Sequence, residues 1–334
     1  MILPDHLHPD MQILLDARES VGGTPVGEKT TAAYRAFWEL YYRAIPNPRP
    51  DSIEAVDRMI PIDDEAGGHE VPVRIYRRAD MPANLPANLS AEAPAGAPCV
   101  IYLHGGGFVL GDLESSDILA WGFTAEADAV TISVDYRLAP EHPYPAALED
   151  TYGVLFWAHD NAAELGIDPA RIALVGDSAG GCLSTAACLL SQELDGPPVA
   201  AQVMIYPVTG IAMDSPSYME NADAVGLTAA SMKFFLENYL KQPPDWADSL
   251  ARPVLAELED LSGLPPAFVH TAEFDPIRDD GRIYAAMLAQ AGCNVTYREV
   301  PGMIHGFYRL RLASDAAARE YGEACDFLKR IWRG

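Results

Sequence analysis

The stretch Arg171-Ile-Ala-Leu-Val-Gly-Asp-Ser-Ala-Gly-Gly-Cys182 restricts what this chain can fold into more than any other. Ile172 to Val175 form a short apolar run of the kind that makes a buried strand, and a helix-like run from Ala179 to Gln192 follows almost at once. Between them lies Gly176-Asp-Ser-Ala-Gly180, a G-x-S-x-G turn. A strand turning this sharply into a helix holds Ser178 in a strained conformation with its hydroxyl exposed. The flanking glycines remove Cβ atoms where strand and helix pass closely. The new helix aims its free N–H groups and positive dipole end at the same point. Such a turn seats a nucleophilic serine if a base, an orienting acid and oxyanion donors exist elsewhere.

The rest of the chain supplies a scaffold for that turn. The pattern predicts strands at 54–61, 71–77, 99–103, 129–135, 171–176, 202–206, 267–271 and 295–300. The first two read as an antiparallel pair at a sheet edge. Helices are expected at 115–127, 145–164, 179–193, 278–291 and 314–332, the last with Ala317, Tyr321, Ala324, Leu328 and Ile331 on one face. This alternation implies a mostly parallel sheet of eight strands with helices on both faces. Residues 79–98, with a tandem Pro-Ala-Asn-Leu, read as an exposed loop. Residues 1–50 hold helices at 10–19 and 28–43, and spacings of three and four put Tyr34, Phe37, Trp38 and Tyr41 on one face. That stripe precedes the first strand, so it is expected to cover a pocket. The interruption at 207–262, with a helix at 228–241, is too long for an ordinary connection. Segments 1–50 and 207–262 are therefore assigned to a helical cap, and 51–206 and 263–334 to the core.

A serine hydroxyl needs a base, and the base needs an orienting carboxylate. On a turn of this type the acid and then the histidine follow the serine in the chain. Of eight histidines only His270 and His305 follow Ser178. His270 lies inside the apolar run 267–271 and reads as a core residue. His305 falls after strand 295–300 in Pro301-Gly-Met-Ile-His-Gly-Phe307 and is the candidate base. Four carboxylates compete for the acid: Glu273, Asp275, Asp279 and Asp280. Asp275, between the strand end and Pro276, is chosen. Asp279 and Asp280 open the next helix, where capping and dipole interactions explain them, and Glu273 is assigned a supporting hydrogen bond. Oxyanion donors are expected after strand 99–103, in His104-Gly-Gly-Gly-Phe108, where bare backbone amides approach a substrate closely. The donors are then the amides of Gly106, Gly107 and Ala179, with His104 a structural hydrogen-bonder. A phosphate-cradling loop is the rival reading, but the Lys-Ser/Thr of a P-loop is missing.

Taken together, His104-Gly-Gly-Gly107, Gly176-Asp-Ser-Ala-Gly180, Asp275-Pro-Ile-Arg-Asp279 and His305-Gly-Phe307 resemble the hormone-sensitive-lipase-like family of esterases, in its GDSAG-type branch. Tyr136-Arg-Leu-Ala-Pro-Glu-His-Pro-Tyr-Pro-Ala146 is also similar to a stretch of that family and is expected to shape the site floor. The likeness runs from about residue 70 to 310. It implies an α/β-hydrolase fold with a helical cap, hydrolysis of short- to medium-chain carboxylic esters, no cofactor, and dimerisation, often through the sheet edge.

Composition removes other classes. A formal charge of −25 argues against nucleic-acid binding and against docking on anionic membranes. Five cysteines, an odd number without C-x-x-C spacing, read as reduced thiols. No metal-ligating constellation appears: H-E-x-x-H is missing, and Cys182 and Cys188 lie on different faces of one helix. With no signal-like N-terminus and no long apolar run, a cytoplasmic protein is expected. Three readings stay open beside a carboxylesterase: another acyl hydrolase or acyltransferase, a non-catalytic small-molecule receptor, and an interfacial lipase.

Overall fold

The computed structural model describes residues 6–23, 30–62, 67–81 and 96–333. Most of the expected loop at 79–98, including its tandem repeat, lies outside the described residues, as does the centre of the first strand connection. In chain order the elements are α1 (Met11–Ser20), α2 (Thr31–Arg43), β1 (Ile53–Ile62), β2 (His69–Arg78), β3 (Ala97–Leu103), α3 (Leu113–Ala127), β4 (Val130–Val134), α4 (Ala146–Asp160), α5 (Ala162–Leu165), β5 (Ile167–Asp177) and α6 (Ala179–Glu193). Then follow β6 (Ala201–Ile205), α7 (Pro216–Glu220), α8 (Ala229–Tyr239), α9 (Leu258–Leu261), β7 (Ala267–Phe274), α10 (Arg278–Gln290), β8 (Val295–Ile304) and α11 (Asp315–Arg333).

The eight strands form one sheet in the order β1-β2-β4-β3-β5-β6-β7-β8. β1 pairs antiparallel with β2, and β2 antiparallel with β4; the other neighbours are parallel. The period of two along β3 explains the layering. Cys99, Ile101 and Leu103 pack into one core with α4, α6 and α10, whereas Val100 and Tyr102 face the opposite core with α3 and α11. β3 is flanked by β4 on one side and β5 on the other. The chain order therefore reverses at β3, and the crevice beyond its carboxyl end is where an open α/β sheet binds ligands. The loop 104–108 and the turn around Ser178 both open into that crevice.

Two elements differ from the sequence reading. The helix expected over 145–164 is split at Asn161, whose side chain donates to the Trp157 carbonyl, and Gly166 ends the second piece in a left-handed conformation. β5 begins earlier than expected because Ile167 already pairs with Ala97, ahead of a local turn closed by Asp168 and Arg171.

Close approach of backbones fixes the geometry around the turn. A Cβ at Gly180 would stand 1.9 Å from the Leu103 carbonyl oxygen, so α6 is pressed directly on the end of β3. The segment after β6 is pinned by a carboxylate. Asp280, fully buried in the first turn of α10, accepts the N–H groups of Thr209 (2.7 Å), Gly210 (2.7 Å) and Ile211 (3.3 Å), all through Oδ1. Neighbouring Asp279 accepts from the Ser217 N–H at 3.0 Å. Capping of their own helix, the role expected from sequence, is therefore not what these two residues do. Burial outweighs the three N–H bonds and pushes the Asp280 carboxyl up to about 7.

Two outcomes follow for stability. Gly180→Ala should cost about 3 kcal/mol or more in urea unfolding, because the added methyl meets backbone and not a side chain that can swing away. For Asp280 the folded-state value lies above the unfolded one of 3.8. Its contribution is thus complete below about pH 4 and is lost as pH rises towards 7. Unfolding free energies of Asp280→Asn and wild type, measured from pH 4 to 8, should diverge in favour of the variant by roughly 4 kcal/mol, at ~1.4 kcal/mol per pKa unit. The slope is the test. The offset is not, since Asn puts an NH2 group where Oδ2 has no partner.

Candidate active site

Ser178 sits at the junction of β5 and α6 with φ 56° and ψ −114°, a conformation that L-residues rarely adopt. Its N–H donates to the Ile205 carbonyl (2.9 Å), and its carbonyl accepts from Gly181 (3.0 Å) and Val208 (3.3 Å). These bonds hold the residue between β6 and α6 and turn the side chain out of the sheet. The two glycines of the turn are needed sterically: a Cβ at Gly176 would lie 2.2 Å from the Gly180 carbonyl.

His305 follows the end of β8, and Gly306 beyond it has φ 86°. The imidazole Nε2 lies 3.0 Å from Ser178 Oγ, and Nδ1 lies 2.7 Å from Asp275 Oδ2. Asp275 is fully buried, and its Oδ1 accepts the Ile277 N–H at 3.0 Å, which leaves Oδ2 for the histidine. An ionised carboxylate only accepts, so Nδ1 carries the proton and the Nε2 lone pair faces the serine hydroxyl. The other three carboxylates have separate work. Glu273 accepts from the Gly302 N–H at 2.7 Å and so steadies the loop that carries His305, while Asp279 and Asp280 hold the segment after β6. His270 is buried in the core with Nδ1 2.8 Å from the Tyr308 hydroxyl, and burial lowers its pKa to about 3.

The glycine loop lies against the same turn. Gly106 and Gly107 have φ 135° and 63°, and their N–H groups, like that of Ala179 at the start of α6, meet no acceptor among the described residues. A Cβ at Gly107 would run into the Phe235 ring at 2.3 Å. His104 Nδ1 bonds to the Gly105 carbonyl (2.9 Å), its ring stacks on Tyr136 at 4.2 Å, and the Tyr136 hydroxyl donates to the His104 carbonyl (2.6 Å). The stretch 136–146 thus braces the loop from below.

Asp177, which the sequence reading used only to place the turn in the GDSAG-type branch, joins two parts of the site. Its Oδ1 accepts both the Gly105 N–H (2.8 Å) and the Tyr102 hydroxyl (2.5 Å) and ties the glycine loop to the serine turn. A charged residue ending an otherwise apolar strand was the available signal. Tyr206, after β6, was also missed; its ring packs 4.6 Å from the His305 ring.

Above these groups lies a cavity lined by Ser178, His305, Gly106 and Gly107 at one end. Its roof is the α2 stripe: Tyr34, Phe37, Trp38 and Tyr41 all line it, as the spacing predicts. α8 closes another side, with Tyr34 stacked on Phe234 at 4.8 Å. Arg35 clamps α2 to the core through paired bonds to Glu141 (2.8 and 2.7 Å) and one to the Val109 carbonyl. Among the described residues no helix is long and apolar enough to cross a membrane.

With this geometry in hand, the chain was compared with known proteins. A family model described as alpha/beta hydrolase fold matches residues 100–309. The carboxylesterase NlhH of Mycobacterium tuberculosis is 43% identical over 262 residues, which is 78% of each chain. An ethyl acetate hydrolase of Pseudomonas putida is 40% identical over 247 residues, 73% of each chain. The crystal structure of a thermostable esterase from Pseudomonas putida ECU1011 superposes with a TM-score of 0.87 at 31% identity, covering 98% of both chains. The serine turn, the glycine loop and the eight-stranded sheet occur here in a chain that belongs to the hormone-sensitive-lipase-like family of α/β-hydrolase-fold esterases.

Proposed function

We propose that the chain is a carboxylesterase that hydrolyses short- to medium-chain carboxylic esters through a covalent acyl-enzyme. The observation that carries this reading is the unbroken relay from Ser178 Oγ through His305 to Asp275, at 3.0 and 2.7 Å, on the floor of an aromatic-walled cavity. Relatives named as a carboxylesterase and an ethyl acetate hydrolase support the same chemistry. Segments 1–50 and 207–262 act as the cap in this reading, since residues from both wall the cavity.

In the first half-reaction Ser178 Oγ attacks the ester carbonyl while His305 Nε2 takes its proton. Asp275 keeps the imidazole in the productive tautomer and stabilises its positive form. The charge that develops on the carbonyl oxygen is met by the N–H groups of Gly106, Gly107 and Ala179, which have no acceptor of their own among the described residues. His305 then protonates the leaving alcohol. Water repeats the sequence on the acyl-enzyme and releases the acid. A receptor has no need of the histidine relay, and the cavity it opens into is walled by aromatic side chains that suit an apolar acyl chain.

A series of p-nitrophenyl esters from acetate to palmitate should give turnover that peaks at short or medium chains. Ser178→Ala and His305→Ala should lower kcat by about 10⁴-fold or more while circular dichroism stays native. Asp275→Asn should fall by about 10⁴-fold through the wrong imidazole tautomer. Near wild-type hydrolysis in Ser178→Ala would sink the assignment.

A further inference from the structure

The cavity has a charge opposite to that of the protein. The chain holds 48 acidic against 23 basic residues, yet the cavity lining contains two arginines, Arg18 and Arg309, and no aspartate or glutamate among the described residues. Arg309 stands four residues beyond His305, in the 3-10 turn Phe307–Leu310, and is only 3% exposed. Its guanidinium carbon lies 4.8 Å from the centre of the Trp38 ring in the roof. Among the described residues its side chain makes one hydrogen bond: Nη1 donates to the Ser115 carbonyl at 2.5 Å.

A guanidinium carries five N–H donors in a planar fork. Nε and Nη2 of Arg309 meet no acceptor among the described residues, and no carboxylate lies within ion-pair distance. The carboxylates of the neighbouring polar cleft are already engaged. Glu114 pairs with Arg74, and Asp117 holds Arg49, Arg74 and the Tyr76 hydroxyl. Arg311, two residues on and equally buried, shows the ordinary solution, an ion pair with Glu126 at 2.6 Å. A buried cation left without a counter-ion is costly, so such groups are normally paired. Arg309 lines both the polar cleft and the cavity above Ser178, so its side chain stands between the two spaces. Arg18 adds a second positive group to the lining, donating to the Gly226 carbonyl at 3.0 Å with its guanidinium carbon 5.4 Å from the Phe37 ring centre.

We propose that the cavity selects esters that carry a second, ionised carboxylate on the acyl chain, the half-esters of dicarboxylic acids, and that Arg309 is the specificity-determining residue. The inference rests on the esterase reading above. The planar fork matches a carboxylate in paired hydrogen bonds, and the aromatic roof packs the methylene chain between the two ends. The overall negative charge does not prevent this. Surface charges are screened over about 8 Å at physiological ionic strength, whereas a guanidinium inside a cavity acts at contact. Hydrolysis converts the half-ester and water into a dicarboxylate, an alcohol and one proton. Ser178 attacks only the neutral ester carbonyl, and the ionised carboxylate stays intact on Arg309.

The test is pH-stat hydrolysis of the monomethyl and dimethyl esters of glutaric, adipic and suberic acids by the intact protein. In wild type the kcat/KM of at least one half-ester should equal or exceed that of its neutral diester. Arg309→Met should lower that half-ester-to-diester ratio at least tenfold, and Arg309→Lys should retain more of it than Arg309→Met. A wild-type ratio below one-tenth for all three acids would overturn the proposal without any variant, and so would an Arg309→Met ratio within twofold of wild type. In both cases diester turnover leaves the esterase reading standing. Diesters and p-nitrophenyl esters left untouched by wild type would instead remove that reading.

Discussion

Everything at this site depends on a backbone held where it would not rest alone. Ser178 at φ 56° and ψ −114° is in a region that costs a non-glycine residue about 1–3 kcal/mol. Three hydrogen bonds of its own peptide groups, to Ile205, Gly181 and Val208, and the pressed contact of α6 on β3 maintain it. The strain has a return. It lifts the hydroxyl clear of the sheet and places the first N–H of α6 beside it. The same turn carries Asp177, whose carboxylate holds the Gly105 N–H at 2.8 Å. The serine and the glycine loop, 70 residues apart in sequence, are thereby set at one distance by a single side chain.

The segments proposed as the cap are seated by the same means. The segment after β6 leaves the sheet at Tyr206, and Asp280 gathers its next three N–H groups from Thr209 to Ile211. Asp279 takes the Ser217 N–H, and Arg35 fastens α2 on the far side through Glu141. Of these anchors the Asp280 carboxylate is fully buried, where an unmet N–H would be costly, whereas the Arg35–Glu141 pair is half open to water and worth less.

This difference between local and distant determinants also decides what could be read in the sequence. The strand–turn–helix around Ser178, the glycine run and the order of serine, acid and histidine were legible because each is a demand on a few consecutive backbones. The α2 stripe was legible as a face, since periodicity reports burial. What it would cover could be guessed only from its place before the first strand. Asp280 was assigned to capping because its real partners lie some 70 residues away and carry no side-chain signature: backbone N–H groups are the same in every residue. Asp177 was passed over for a related reason. Its partners are a glycine amide and the Tyr102 hydroxyl, and neither leaves a charge of opposite sign to match. The split of the helix at Asn161 was hidden because a side chain bonding back to its own helix mimics a continuing one.

The proposed reaction and the proposed selection of substrate are thus stored in different kinds of information. The groups assigned to the reaction sit on the ends of β5, β7 and β8, where neighbouring strands of one sheet set their spacing and a short motif suffices to identify them. The walls of the cavity come from α2, from α8 and the segment leading into it, and from the turn after His305. These segments meet only in the folded protein. Arg309 makes the point most clearly. In sequence it is one of many arginines in an acidic chain, next to Arg311, and nothing separates the two. In the fold Arg311 turns to Glu126 and is a strut, while Arg309 lies under Trp38, has no carboxylate partner among the described residues, and lines the serine's cavity. Two residues along the chain, in a turn of about three residues per repeat, point a side chain to a different side of the turn. That rotation, rather than residue type, separates a structural cation from the one proposed to meet a substrate.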